Sequence, residues 1–186
     1  NTEGLGLENT DIELRPNGTI VVDEFCQTAV ENVFAVGDVN GGLQFTYVSL
    51  DDFRVVNGYL HGNKEYTTAD RKNVPYSTFI SPALSHVGLH KEEAEAAYPN
   101  VAVASLPVAN MPRGAVNQDP RGLFRVTVDK DTNLILGATL FGKNSEEIIN
   151  LIKMAIDNKI PYTYIRDQIF THPTMAENLN DVFKLI

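Results

Sequence analysis

The sequence has little cysteine, little positive charge and no long apolar run. Its 186 residues include one cysteine, Cys26, so no disulfide forms within the chain, and we expect a reducing compartment, cytoplasmic in location. The 15 Lys and Arg face 24 Asp and Glu, a net charge of −9 without basic clusters, so we expect no nucleic acid and no anionic membrane as partner. No apolar run could span a bilayer, and no signal-peptide pattern precedes the first predicted strand.

The first part of the chain predicts a hairpin, one strand and one helix. Pro16-Asn17-Gly18 separates two alternating apolar runs and predicts the hairpin turn. The run 33–36 predicts a strand buried on both faces, and it ends at Gly37-Asp38. A helix is predicted over 46–60, with Gly62 as its stop signal. Its apolar face consists of Leu50, Phe53, Val56 and Leu60.

The remainder of the chain has a different pattern. A polar stretch from 59 to 73 predicts a linker and a domain boundary. Beyond it we predict strands over 76–80, 101–106, 123–128 and 135–141, and helices over 91–97, 146–158, 162–169 and 175–185. Asn144 or Ser145 is the predicted cap of the second helix. Strands grouped in hairpins with separate helices predict an α+β class, an antiparallel sheet with helices.

The first segment is too small to complete a doubly wound α/β sheet, so we expect the chain to be a piece of a longer protein. The predicted organisation is an incomplete α/β domain over 1–62, a linker over 63–73 and the antiparallel domain over 74–186. A hydrophobic fraction of 43% predicts a real core.

Asp38 is the first candidate site residue, because ligands of open α/β sheets bind at the carboxyl ends of strands. Its carboxylate can accept hydrogen bonds from ligand hydroxyls. The following loop leads to the start of the predicted helix at Thr46, whose free N–H groups suit an anion or an electron-rich ring. The alternative is an aspartate that only caps a turn, and the residues leave both interpretations open.

His172 and Glu177 form the second candidate site, a histidine and a carboxylate five positions apart at a helix start. Such a carboxylate can fix the tautomer of an acid–base histidine. The alternative is that Glu177 only completes a capping box with Thr174, although the two roles are compatible. Cys26 is interpreted as a small core residue. His61, His86 and His90 show no ligand spacing with acidic residues or cysteine, so no metal site is predicted.

Several motifs resemble one enzyme family. Thr28 followed by Val33-Phe34-Ala35-Val36-Gly37-Asp38 resembles the second flavin-binding motif of the pyridine nucleotide–disulfide oxidoreductases. His172-Pro173-Thr174-Met175-Ala176-Glu177 resembles the His-Pro-Thr-x-x-Glu signature of their dimerisation domain, and residues 81–88 resemble the strand–loop that opens it. Residues 41–52 and 166–173 are similar to a bacterial branch associated with resistance to reactive chlorine. Members of that branch are implicated in reducing hypothiocyanous acid and related oxidants.

This resemblance implies FAD, a nicotinamide cofactor NAD(P)H, a redox-active cysteine pair, a homodimer and a small oxidant or disulfide substrate. It assigns Gly37 and Asp38 to the ribitol or diphosphate region of FAD, and the backbone of Gln44, Phe45 and Thr46 to the flavin pyrimidine edge. It also implies that His172 protonates the leaving thiolate across the dimer, that Glu177 holds its other nitrogen, and that the His172-Pro173 bond is cis. The apolar residues expected to support the dimer interface are Ile165, Ile169, Phe170, Leu179, Val182 and Phe183.

The chain also departs from the family pattern. The first glycine-rich FAD loop, the redox cysteines and the nicotinamide domain are absent, and Gly4-Leu5-Gly6 lacks the third glycine of such a loop. Ala83 and His90 replace the usual glutamate and threonine cap. We therefore expect this segment alone to be inactive and to bind no FAD tightly. A non-catalytic dimerisation module and a mercuric reductase or dihydrolipoamide dehydrogenase relative remain as alternatives.

Overall fold

The protein forms two compact units, Asn1–Lys72 and Asn73–Ile186, in a computed structural model that describes residues 1–186. The first unit contains one long helix and three short 3-10 turns, and the second contains all the regular strands. None of the helices has both the length and the apolar character needed to cross a bilayer.

The long helix of the first unit, α1, spans Thr46–Leu60 as predicted. Gly62 follows with a positive φ of 80°, the left-handed conformation that favours glycine after a helix, so the predicted stop is confirmed. The predicted apolar face of α1 is not buried, because Leu50 and Phe53 are 52% and 57% exposed. The buried residues of the helix lie at a different helical phase, at Val48, Asp52 and Val55. The 3-10 turns are Leu7–Asn9, Gly37–Asn40 and Thr68–Asp70.

The predicted strand over 33–36 is wrong as a strand buried on both faces. Its only pairing is an isolated bridge between Gln27 and Phe34, and Val33 and Val36 are exposed. A strand is buried on both faces only where other strands and helices cover it, and no regular strand exists in this unit to do so. The hairpin prediction holds only as a chain reversal with one bridge, between Leu14 and Ile20.

The second unit is built on a five-stranded antiparallel sheet with the strand order β1-β2-β5-β4-β3. The predicted α+β class is therefore confirmed. The strands are β1 (Tyr76–Thr78), β2 (Leu84–Gly88), β3 (Val101–Pro107), β4 (Leu123–Asp129) and β5 (Leu134–Phe141). The loop between β4 and β5 is a tight hairpin, in which the Thr132 hydroxyl donates to Asp129 at 2.6 Å. Strand β1 is two residues shorter than predicted, and β2 corresponds to the strand–loop that only the family resemblance indicated.

The helices of this unit are α2 (Lys91–Ala97), α3 (Pro112–Val116), α4 (Ser145–Asp157), α5 (Tyr162–Asp167) and α6 (Asn178–Phe183). Helix α3 was not predicted, and α5 and α6 are shorter than predicted. Helix α6 begins late because the carbonyls of Thr174 and Met175 accept from the side chain of Asn178 at 3.1 Å. Asn144 is the N-cap residue of α4, one of the two residues predicted for that position, but its side chain makes no cap bond. The Ser145 hydroxyl donates to Ala83 O.

The core lies between the sheet and helices α4, α5 and α6. Helix α4 presents Ile148, Ile149, Ile152 and Ala155 along one buried stripe, the spacing of an amphipathic helix. Strand β4 adds its alternate residues from Phe124 onward. Full burial of each large apolar side chain stabilises the fold by about 1.5–3 kcal/mol. The core also takes up Ile165, Leu179, Val182 and Phe183. These four were expected to support a dimer interface, and that expectation is wrong because they fill the interior of one unit. Of the six, Ile169 is 98% exposed and Phe170 packs at the core margin.

Candidate functional site

The Gly37–Asn40 turn lies in the first unit and contains two of the candidate cofactor residues, Gly37 and Asp38. Gly37 is buried with a φ of 72°, and a Cβ at this position would lie 2.8 Å from Ser49 Oγ of helix α1. Both the backbone conformation and the close approach therefore require glycine. Asp38 is exposed, and its carboxylate makes no hydrogen bond or ion pair with another residue of the chain. The turn thus presents the Asp38 carboxylate to solvent, and this carboxylate does not stabilise the turn through any hydrogen bond of its own.

Asn40 and Arg15 hold the end of this turn. The Asn40 amide nitrogen donates to Ala35 O at 3.3 Å, and its oxygen accepts from Gly42 N at 3.0 Å. The Arg15 guanidinium donates to Asn40 O at 2.6 Å and to Ile20 O at 2.9 Å. These bonds connect the turn to the chain reversal that precedes it.

Asp52 of helix α1 holds the beginning of the turn, and the sequence reasoning missed it. Only 1% of Asp52 is exposed. Its Oδ2 accepts from Gly37 N at 2.7 Å and from Asn40 Nδ2 at 3.0 Å. The signal was available, because Asp52 lies between Val48 and Val55 at the spacing of the buried face. A carboxylate at such a position must be paired.

Arg71 supplies the opposite charge. Its Nη2 lies 2.6 Å from Asp52 Oδ1 and its Nε lies 2.8 Å from Asp51 Oδ2, which also accepts from the Tyr66 hydroxyl at 3.0 Å. Burial opposes the charge on Arg71, but the hydrogen bonds to Asp52 and Asp51 outweigh it and raise its pKa. Burial likewise acts to raise the pKa of Asp51, but its bonds to Arg71 and Tyr66 dominate and lower it. The predicted linker is thus tied to α1 by an ion pair.

The residues predicted to approach the flavin ring lie at the start of α1. Gln44 and Thr46 are exposed, and Phe45 is partly buried as the N-cap residue, with its ring stacked on Tyr47 at a centroid distance of 5.1 Å. The helix start carries no side-chain cap bond. Three residues separate them from the Gly37–Asn40 turn, so the predicted residues of the first unit lie within ten consecutive positions, with Asp38, Gln44 and Thr46 exposed and Gly37 buried.

Cys26 is fully buried and has a positive φ of 62°. Burial, followed by the charge of Asp52, raises the pKa of its thiol to about 12. A protonated, inaccessible thiol is a poor nucleophile. The interpretation of Cys26 as a small core residue is confirmed.

His172 and Glu177 lie in the second unit, and they are in contact. His172 Nδ1 is 2.7 Å from Glu177 Oε2. The histidine side chain is 69% exposed, whereas that of the glutamate is only 16% exposed. The His172-Pro173 bond is cis, as the family resemblance implies.

Glu177 also makes the reciprocal hydrogen bonds of the predicted capping box with Thr174, but they close the turn before helix α6, whose N-cap residue is Glu177 itself. Its Oε1 accepts from Thr174 N at 3.0 Å, and its own N–H donates to Thr174 Oγ1 at 3.2 Å. The Thr174 hydroxyl in turn donates to Thr171 O at 2.8 Å. The two carboxylate oxygens are therefore divided between the histidine and the backbone, so the two roles considered for Glu177 coexist.

This arrangement is suited to proton transfer. A carboxylate only accepts hydrogen bonds, so the proton between the two residues belongs to Nδ1 of His172. The Nε2 atom is then the ring nitrogen that remains to take or give a proton. The ring is open to solvent while its orientation is fixed from behind, which is the geometry of a general acid–base group.

The remaining histidines make local contacts within their own units. His86 is buried, with Nδ1 2.8 Å from the Thr139 hydroxyl and Nε2 2.9 Å from Gly88 O, and its ring stacks on His90 at 3.8 Å. Burial lowers the pKa of His86. His61 bonds Asn57 O at the end of α1. No group of three or more His, Cys, Asp or Glu side chains could hold a metal ion.

Three structural features identify the class of this protein: the antiparallel domain, its histidine–glutamate loop and the Gly-Asp turn. The dimerisation domain of the pyridine nucleotide-disulphide oxidoreductases matches residues 74–183, and a second pyridine nucleotide-disulphide oxidoreductase domain matches residues 1–52. The chain belongs to this family, and the resemblance in its sequence is confirmed.

The chain is similar over almost its full length to several named proteins. The chain is 49% identical over 185 residues to the probable pyridine nucleotide-disulfide oxidoreductase RclA of Escherichia coli, covering 100% of this chain and 42% of that protein. A glutathione reductase of Burkholderia cepacia is 32% identical over 95% of this chain and 39% of its own length. The solved structure of the HOCl-induced flavoprotein disulfide reductase RclA from Escherichia coli superposes with a TM-score of 0.97 at 48% identity, over 100% of this chain and 43% of that one. The chain thus spans less than half of these relatives.

Proposed function

We propose that this chain is the C-terminal part of an FAD-dependent, NAD(P)H-linked reductase of small oxidants or disulfides. Family membership and the 42% share of the E. coli relative support this proposal. In this proposal residues 1–62 end the FAD-binding domain, 63–73 form a linker and 74–186 form the dimerisation domain. The working assembly is a homodimer, and a chain with a single cysteine suits the cytoplasm.

The observation that carries the proposal is the contact between His172 and Glu177. The imidazole of His172 is exposed, and its Nδ1 is bonded to a carboxylate whose other oxygen is bonded to the backbone. Its Nε2 is therefore positioned to deliver a proton. In the proposed reaction this group protonates a thiolate that leaves when a disulfide is reduced. Protonation as the S–S bond breaks lets the sulfur leave as a neutral thiol, which makes it a better leaving group. The ring of His172 then regains a proton from solvent, because it is exposed.

The Gly37–Asn40 turn and the start of α1 fit one rim of a flavin site. Asp38 offers a free carboxylate to ligand hydroxyls, and the start of α1, which has no side-chain cap bond, brings the backbone of Gln44, Phe45 and Thr46 to the same rim. FAD, when bound, would supply the transfer of electrons from the nicotinamide to the cysteine pair. The cysteine pair and the phosphate-binding loop belong, in this proposal, to the part of the enzyme outside this chain.

The substrate class rests on the relatives. The E. coli relative is described as an HOCl-induced flavoprotein disulfide reductase, and the Burkholderia cepacia relative is named a glutathione reductase. A small oxidant or a disulfide is therefore the proposed substrate. A non-catalytic dimerisation module is the alternative from another class, and a mercuric reductase or dihydrolipoamide dehydrogenase activity is the alternative within the family.

Flavin binding tests this proposal. The full-length protein should purify yellow, with bound FAD, whereas the 186-residue chain should lose flavin on gel filtration. The chain contributes only one rim of the site, so most of the ligand contacts are missing. Colourless full-length protein that takes up no added FAD would support the non-catalytic module instead.

Turnover tests the substrate class. The full-length enzyme should oxidise NADH or NADPH when given hypothiocyanous acid or a small disulfide. Lipoamide and Hg²⁺ are the comparison substrates for the family alternatives. A preference for either of those two, measured as kcat/KM, would replace the oxidant assignment.

A further inference from the structure

We propose that Asp52 and Arg71 are positioning residues for the flavin-binding turn, which they hold through Gly37 N–H and the Asn40 amide. This inference rests on the proposed function, since it concerns how the chain presents Asp38 to FAD. Neither residue touches the ligand in this proposal. Asp52 acts by fixing the backbone that carries Asp38, and Arg71 acts through Asp52.

The first step is the direction of the Asp52 carboxylate. Both donors to Oδ2 come from the turn, Gly37 N at 2.7 Å and Asn40 Nδ2 at 3.0 Å. Asp38 and Val39 are the two residues between these donors in sequence. Because Gly37 has a positive φ and is confined by Ser49, the Asp52 bond fixes the peptide that sets the direction of Asp38.

The second step is the charge balance. Asp52 is buried, and a buried carboxylate persists only when it is paired and hydrogen-bonded. Arg71 supplies the charge through Nη2 at 2.6 Å from Asp52 Oδ1. The same guanidinium binds Asp51 through Nε at 2.8 Å. Removal of Arg71 would leave an uncompensated buried carboxylate beneath the turn, which would favour its withdrawal from Gly37.

The third step distinguishes positioning from packing. Val48 and Val55 flank Asp52 on the buried side of α1, so an apolar residue would fill this position at lower desolvation cost. A carboxylate is required only if its acceptors are needed, and Oδ2 faces the turn while Oδ1 faces Arg71. Val55 is therefore the matched control, because it is 1% exposed on the same helix face and makes no bond to the turn.

The test uses the full-length protein freed of flavin and then titrated with FAD, with the dissociation constant read from flavin fluorescence. Asp52→Asn should raise the Kd about 10-fold or more, the worth of a charge-assisted hydrogen bond lost from the turn. Arg71→Gln should raise it in the same direction. Val55→Ala should lower the urea midpoint while changing the Kd by less than about 2-fold, since it removes buried apolar surface and no hydrogen bond to the turn.

Amide exchange in the flavin-free protein supplies a second readout. The backbone amides of residues 37–42 should exchange faster in Asp52→Asn and Arg71→Gln than in Val55→Ala. Each variant is measured at a urea concentration equally far below its own unfolding midpoint. If Asp52→Asn does not fold, Arg71→Gln carries the test, because Arg71 lies outside the regular helices. A Kd and an exchange rate in both variants equal to those of Val55→Ala would overturn the inference.

Asp38→Asn separates this inference from the proposed function. If Asp38→Asn weakens FAD binding and Asp52→Asn and Arg71→Gln do not, the positioning role is wrong and the flavin site stands. If none of these variants changes FAD binding, the assignment of the turn to FAD is itself wrong. Weaker binding in all three supports both.

Discussion

Glu177 Oε2 accepts a hydrogen bond from His172 Nδ1 at 2.7 Å, although the histidine ring is largely in solvent. The ring is therefore oriented by one polar contact and not by packing. The orienting carboxylate is itself held by Thr174 N, through its other oxygen. The orientation of the histidine ring is thus set by the turn before helix α6. Substitutions in that turn should therefore change the position of Nε2.

The first prediction is that His172→Gln in the full-length enzyme slows the thiol–disulfide half-reaction by roughly 10²–10⁴-fold, the usual worth of a positioned acid–base group. Reduction of the flavin by NAD(P)H should be nearly unchanged, because that half-reaction needs no proton from this ring. The fold should survive, since the ring is exposed. Stopped-flow absorbance resolves the two half-reactions. His61→Gln is the control, and wild-type rates in both half-reactions of His172→Gln would leave Glu177 with its capping role alone.

The second prediction concerns Glu177 and the stability of the 186-residue chain. Glu177→Ala removes the acceptor of Thr174 N and should cost about 1 kcal/mol in the free energy of unfolding, as for other lost caps. Glu177→Gln should cost less, because its amide oxygen can still accept from Thr174 N. Urea unfolding measures both. Glu147→Ala, an exposed first-turn glutamate of α4, should stay within about 0.5 kcal/mol. Equal losses in all three variants would remove the evidence for a cap.

Local patterns predicted most of the second unit. Helix α2 and the β4–β5 hairpin follow from apolar spacing and turn residues, which act within a few positions of each other. The pairing of His172 with Glu177 was predictable for the same reason, because five positions across a helix start bring the two side chains together. Helix α3 was missed because it has only one and a half turns and no apolar period.

Non-local interactions explain the failures. The run 33–36 looks like a buried strand, but burial requires partners that no local pattern specifies, and Val33 and Val36 are exposed. Arg71 lies in a polar stretch that predicts a linker, and only the folded chain brings it to Asp51 and Asp52. Four apolar residues of the last helices were assigned to an interface, but hydrophobicity alone does not distinguish an interface from a core.

The third prediction is that the Cys26 thiol is inert in the folded chain. Its pKa is raised to about 12 from 9.0 by burial and then by the charge of Asp52. Iodoacetamide at pH 8 should label it only after urea unfolds the protein. Because the folded state holds this proton more tightly than the unfolded state, its contribution to stability is complete below pH 9 and is lost as the pH rises towards 12.

The comparison with Cys26→Ala isolates this contribution from that of the tyrosines, which titrate in the same range. The variant should lose less stability between pH 9 and 11 than the wild type does. Rapid labelling of the native chain at pH 8, or identical pH profiles of the two proteins, would show that the thiol is not held in this way.

The last prediction is that the 186-residue chain self-associates through the surface around Ile169. Ile169 is 98% exposed, an unusual position for a large aliphatic side chain, and Tyr164 nearby in sequence is 59% exposed. In the proposed homodimer the loop of His172 reaches the neighbouring subunit, so residues just before it should contact that subunit. Sedimentation at tens of micromolar should give a dimer mass, and Ile169→Asp should shift it towards the monomer. Leu5→Asp is the control, because Leu5 is 62% exposed but lies in the first unit. A monomeric wild-type chain would place the contacts that hold the dimer outside this segment, whereas a dimeric Ile169→Asp variant would exclude Ile169 from the interface.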